Sequence, residues 1–121
     1  MKNILVVDDE AMLREVYTMA LEAHGYSVRT AADGLLAEIE LKANPPDLIL
    51  LDIMMPNADG IEFLSNADLI NRHPDVKVIL FSNLSSGPKI KAGLKLGATK
   101  HIAKSTMTPN DLVDEVKSLL D

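Results

Sequence analysis

The stretch Leu48-Ile49-Leu50-Leu51-Asp52-Ile53-Met54-Met55-Pro56-Asn57-Ala58-Asp59-Gly60 drives a single carboxylate out of an apolar run. Four consecutive branched aliphatics suit a strand covered on both faces, and hence the middle of a parallel sheet. Asp52 ends that run. In open α/β sheets the binding crevice lies outside the carboxyl ends of the strands, so an acid here stands where sites are built. A strand-end Asp can equally cap the next turn, and the flanking sequence has to decide. After Pro56, the pair Asp59-Gly60 marks a turn feeding a helix with Ile61, Phe63, Leu64, Ala67 and Ile70.

Toward the amino end, Ile4 to Val7 reads as a second buried strand. It is followed by Asp8, Asp9 and Glu10 and then by Met12, Val16, Met19, Ala20 and Ala23 at helical spacing. Gly25 suits a C-cap after His24. Tyr26 to Ala31 alternates as a strand, and a helix from about Gly34 to Ala43 is stopped by Pro45 and Pro46. Toward the carboxyl end, His73-Pro74-Asp75 closes the third helix, and Val76 to Phe81 forms a fourth strand ending at Ser82. Pro88 to Leu96 forms a lysine-bearing fourth helix closed by Gly97, and a fifth strand, about Lys100 to Ala103, delivers Lys104. Thr108 caps the last helix, with Pro109 at its first position and Asp111 three residues on; Leu112, Val113, Val116, Leu119 and Leu120 form its buried stripe.

Five strands alternating with five helices predict a single α/β domain over residues 1–121, a doubly wound parallel sheet with helices on both faces. At 121 residues no second domain fits. Polar residues end four strands: Asp8-Asp9, Asp52, Ser82 and Lys104. All four ends face one crevice.

With no cysteine there is no disulfide framework and no thiolate chemistry. No apolar run approaches a membrane-spanning length, and Ile4 to Val7 is too short for a signal-peptide core, so a soluble, cytoplasmic chain without a membrane partner is expected. The net charge of −6 argues against direct nucleic-acid binding. That charge is unevenly placed. Residues 1–75 hold 14 acids and 5 bases, a net −9; residues 76–110 hold 6 lysines and no acid, a net +6; residues 111–121 give −3. A face carrying several of these lysines could attract an acidic partner, although a solvated helix face gives the same pattern.

Three carboxylates meeting in one crevice repel one another, and either hold protons or recruit a cation. Magnesium suits them, since it takes hard oxygen ligands and commonly bridges one or two carboxylates to a phosphate. Lys104 would neutralise a phosphate oxygen from the opposite side. A carboxylate so placed is suited to in-line attack on phosphorus, a reaction that mostly needs positioning and charge stabilisation. Ser82 can then hydrogen-bond the captured phosphoryl group.

The ordered set Asp8-Asp9, Asp52 with Met55, Pro56, Asp59 and Gly60, then Ser82, then Gly97-Ala98 and Lys104, resembles a response-regulator receiver domain, similar to the single-domain chemotaxis type. The resemblance covers the whole chain. It implies the flavodoxin-like strand order 2-1-3-4-5 and transfer of phosphate to Asp52 from the phosphohistidine of a histidine kinase or phosphotransfer protein. It further implies Asp9 as a direct magnesium ligand, Asp8 as an outer ligand, Met54 as a ligand through its backbone carbonyl, Ser82 as the switch hydroxyl and Lys104 as the phosphate-neutralising lysine. Beyond this self-catalysed transfer no enzyme activity is implied, and a downstream protein would read the fourth helix, fifth strand and fifth helix. Competing motifs fit less well. There is no phosphate-binding glycine-rich loop ending in Lys-Ser or Lys-Thr, and Met55 stands where a calcium loop places its first Asp. A dehalogenase-type phosphatase has an Asp two residues after its nucleophile, where this chain has Met54. His24 and His73 read as helix-end residues.

The chain departs from the family pattern in four places. His101 occupies the position of a switch Tyr or Phe, so it can serve as the rotamer switch, as a pH sensor with an ordinary value of about 6.5, or as an exposed strand histidine. Ser105 follows Lys104 where a cis proline is usual, and the cost of a non-proline cis bond, about 2.5–4 kcal/mol, predicts trans. Met54 and Leu84 offer no group to orient water, so slow self-dephosphorylation is expected by resemblance. Thr99-Lys100 replaces the acids found in relatives that dimerise through the fifth strand, so a stand-alone monomer is expected, and with the sequence stopping after the last helix no output domain is expected. A phosphate-independent interaction module of the same fold and a receiver fragment of a larger regulator remain as alternatives.

Overall fold

The architecture comes from a computed structural model describing residues 1–57, 59–83 and 87–121. Five strands, β1 (Asn3–Val7), β2 (Ser27–Ala31), β3 (Leu48–Leu51), β4 (Lys77–Ser82) and β5 (Lys100–Ala103), form one parallel sheet in the order 2-1-3-4-5. The α-helices are α1 (Ala11–Glu22), α2 (Gly34–Ala43), α3 (Gly60–Ala67), α4 (Leu69–Arg72), α5 (Gly87–Lys95) and α6 (Pro109–Leu120). A 3-10 turn spans Lys104–Thr106.

The expected continuous strands owe their unbroken apolar runs to burial on both faces. Odd positions of β1 and β3, Leu5, Val7, Ile49 and Leu51, pack with Ala37, Leu41, Phe63 and Leu64 from α2 and α3. Even positions, Ile4, Val6, Leu48 and Leu50, pack with Tyr17, Leu21, Leu112, Val113 and Val116 from α1 and α6. The alternation is the strand's two-residue period turned into two core layers.

Among the described residues six α-helices stand where five were expected. Asp68 adopts a left-handed conformation, φ 49°, and splits the predicted third helix into α3 and α4. Its carboxylate accepts a hydrogen bond from Asn71 Nδ2 at 3.0 Å, the kind of local bond that lets Asp visit this region. The buried stripe of α1 also differs: Tyr17 and Leu21 face the core, whereas Met12, Val16 and Met19 are exposed. The last helix starts as read. Thr108 Oγ1 accepts from Asp111 N, Asp111 Oδ2 accepts in turn from Thr108 N, and Pro109 opens the helix. Among the described residues every peptide bond is trans, Lys104–Ser105 included. None of their helices is long and apolar enough to cross a membrane.

Candidate functional site

The register of the sheet brings the polar strand ends together. Val7 pairs with Leu51, and Leu51 with Leu80, so Asp8 and Asp52 leave neighbouring strands at one level. Ser82 pairs with Ala103, which places Lys104 one residue beyond the same edge. Backbone bonds extend the ladder past the strands: Asp8 N donates to Ala31 O at 3.1 Å and Asp52 N to Val7 O at 2.9 Å. Both carboxylates are therefore held by the sheet rather than by a loose loop.

Asp8 and Asp52 are 2% and 6% exposed, and burying two carboxylates side by side requires a counter-charge. Lys104 supplies it. Its Nζ donates to Asp8 Oδ2 at 2.6 Å and to Asp52 Oδ2 at 3.2 Å. The second oxygens are also engaged, Asp8 Oδ1 by Glu10 N at 2.9 Å and Asp52 Oδ1 by Met54 N at 3.3 Å. Burial pushes the Asp52 carboxyl above its ordinary value against the opposing pull of Lys104, and the Asp8 charge pushes the same way. Burial favours deprotonation of Lys104, but its bond to Asp8 and the charges of Asp52 and Asp8 outweigh that, so its value is raised and it stays an ammonium. Phe81 lies beneath, its ring centre 6.0 Å from Lys104 Nζ, and meets Tyr17 edge-on at 5.2 Å.

Asp52 and Lys104 line an open crevice of about 480 Å³, together with Asp9, Glu10, Leu13, Met54, Ser82 and Asn83. Ser82 is buried, whereas the Met54 side chain is half-exposed. Asp59, the last acid of the central motif, points elsewhere: it caps α3, accepting from Glu62 N at 2.9 Å, and pairs with Lys89 Nζ at 3.2 Å. Lys89 also approaches Met54 Sδ at 3.8 Å, so α5 touches the loop after Asp52. Gly60 is required by close approach. A Cβ there would stand 2.5 Å from the Asp52 carbonyl oxygen and 3.0 Å from Ile53 Cα.

His101 does not reach the crevice. It sits half-buried on β5, and its Nε2 is buried without a hydrogen-bond partner among the described residues. Leu84 lies outside the described residues. Two polar residues of the crevice lie outside the site set expected from the sequence. Asn83 Oδ1 accepts from Ser105 N at 2.7 Å and ties the loop after β4 to that after β5. Glu10 joins Asp8 and Asp9 in a group whose ligand oxygens all lie within 4.8 Å of one another. The run of three adjacent acids was its only signal. Such an all-oxygen, all-carboxylate set is the donor chemistry that suits magnesium.

The sequence model described as the response regulator receiver domain matches residues 4–117. At 36% identity over 119 residues, the chain is similar to a probable transcriptional regulator, ycf27, of Porphyridium aerugineum, covering 98% of this chain and 48% of that one. It is 35% identical over 119 residues to the phosphate regulon transcriptional regulatory protein PhoB of Pseudomonas aeruginosa, covering 98% and 52% respectively. The chain thus spans about half the length of these curated relatives. Among solved structures, a CheY-like response regulator receiver domain protein from Methanospirillum hungatei JF-1 has a TM-score of 0.92 at 30% identity, covering 100% of this chain and 94% of that one. Chemotaxis response regulator CheY4 of Vibrio cholerae has a TM-score of 0.88 at 28% identity, covering 98% of each chain.

Proposed function

The chain belongs to the response regulator receiver domain family, and from that premise we propose that it is a phosphoacceptor switch of two-component signalling with Asp52 as the acceptor. The observation that carries this reading is the Lys104 ammonium held 3.2 Å from a buried Asp52 carboxylate at the floor of an open crevice. Asp52 attacks the phosphorus of a phosphohistidine on a histidine kinase or phosphotransfer protein. The P–N bond breaks as the P–O bond forms, the electron pair leaves with the imidazole, and that ring takes up a proton. Lys104 neutralises charge on the transferred oxygens, and the Ser82 hydroxyl donates to one of them once the acyl phosphate has formed. Asp8, Asp9 and Asp52, with Glu10 beside them and the Met54 backbone carbonyl, would hold magnesium, which when bound neutralises phosphoryl oxygens.

Phosphorylation then shifts a pre-existing equilibrium of the loops bearing Ser82 and Lys104. The surface formed by α5, β5 and α6 is the reading face for a downstream protein, and Lys91 and Lys95 stand exposed on it. Reversing both charges is expected to weaken an acidic partner at least tenfold at low salt, by titration calorimetry; unchanged affinity removes α5 from the interface. Met54 gives no polar group for orienting water, so the acyl phosphate is long-lived. Met54→Asn should speed phosphate loss severalfold in a radiolabel decay assay.

Intact mass after incubation with acetyl phosphate tests the central claim, with and without magnesium, on wild type and Asp52→Asn. One phosphoryl group gained only by wild type with magnesium is the expected result. If wild type gains none from acetyl phosphate or from a cognate kinase, the reading gives way to a phosphate-independent interaction module of the same fold.

A further inference from the structure

Helix α2 is apolar on the face turned to the core and again on the face turned away. Gly34, Ala37 and Leu41 are buried, whereas Leu35, Leu36 and Ile39 remain 52%, 46% and 64% exposed. At about 100° per residue the exposed three point opposite the buried three. A helix apolar all round is ordinarily covered on both sides. We propose that the outer face of α2 is a self-association surface that packs antiparallel against the same face of a second copy, about a twofold axis beside Ile39.

The flanking charges select that occupant. Glu38 and Lys42 lie on one edge of the stripe, four residues apart. A twofold at Ile39 brings Lys42 level with the partner's Leu36, about 3 Å along the axis from the partner's Glu38 and on the same edge. Each copy therefore offers an acid to the other's lysine. Glu40, on the opposite edge, is already held by Arg29 at 2.8 Å and brings no unpaired charge to the contact. A uniformly basic partner would satisfy Glu38 but repel Lys42, and an acidic one the reverse. An isologous pairing satisfies both. Three aliphatic side chains a side are far fewer than the roughly 20–30 residues a side of a standard interface, so the dimer is weak and concentration-dependent. The proposal stands apart from phosphoryl transfer, because none of these residues lines the crevice.

Sedimentation equilibrium of the full chain from about 10 µM to about 1 mM tests it. The weight-average mass of wild type is expected to rise from one chain toward two, and Ile39→Ser is expected to weaken association about tenfold or more. Glu38→Lys and Lys42→Glu should each lose association alone and regain it when mixed, since a wholly basic edge then meets a wholly acidic one. A wild type that stays monomeric throughout, a dimer indifferent to Ile39→Ser, or a mixture no tighter than its components overturns the proposal.

Discussion

Lys104 touches two buried carboxylates at once, yet burial outweighs that contact at Asp52 and sets its pH behaviour. Because burial raises the Asp52 value, the folded state binds its proton more tightly than the unfolded chain does. The Asp52 contribution to stability is therefore fully present below the ordinary carboxylate value of about 3.9 and is lost as pH rises through the higher folded value. Asp52→Asn removes this loss while Lys104 keeps Asp8 at 2.6 Å. In EDTA the variant is expected to melt a few degrees above wild type at pH 7, with the gap closing below about pH 4. A variant that melts lower at pH 7 would refute this accounting. Asp8, Asp52 and Lys104 were legible in the sequence because each directly follows a strand, and parallel register then leaves little freedom in where they go. Glu10, Asn83 and His101 were less so: the first two stand on turns whose path local pattern does not dictate, and a half-buried strand histidine carries no signal of which face it takes.

A helix boundary can hide inside an unbroken apolar rhythm. Phe63, Leu64, Ala67 and Ile70 continue a helical spacing across Asp68, and no Gly or Pro marks the left-handed residue that splits α3 from α4. Likewise Met12, Val16 and Met19 share the spacing of a buried stripe, yet the sheet takes the neighbouring stripe of Tyr17 and Leu21. Periodicity reports that a helix has faces, not which face the sheet claims. Gly60 shows the opposite case, where one residue type is demanded by contact. Gly60→Ala forces a methyl group against the Asp52 carbonyl, with backbone on both sides and no flexible side chain to yield. Urea denaturation is expected to show a loss of about 1–3 kcal/mol. A loss below about 0.5 kcal/mol would mean that α3 can slide away from β3, with ~1 kcal/mol as the usual centre for single substitutions.

For the molecule as a whole, the doubly wound sheet followed from alternation of apolar runs with helical spacings, whereas the order 2-1-3-4-5 came from family resemblance and is borne out by the strand pairing. Asp8, Asp9 and Glu10 form one carboxylate group, and under the proposed function a cation held there has a global readout. The melting temperature is expected to rise with magnesium, by an amount equivalent to about 2.7 kcal/mol at a hundredfold excess over Kd, and to return on chelation. Asp9→Asn, an exposed position, should abolish the rise without lowering the metal-free value; an undiminished rise would place the ion elsewhere. The contact of Lys89 with Asp59 bears on the same whole. A partly exposed ion pair of this kind is worth about 0–1 kcal/mol, comparable to thermal energy. It works as a detent: deep enough to give α5 a resting place against the loop after β3 and, under the proposed function, shallow enough for one docking protein to lift it out.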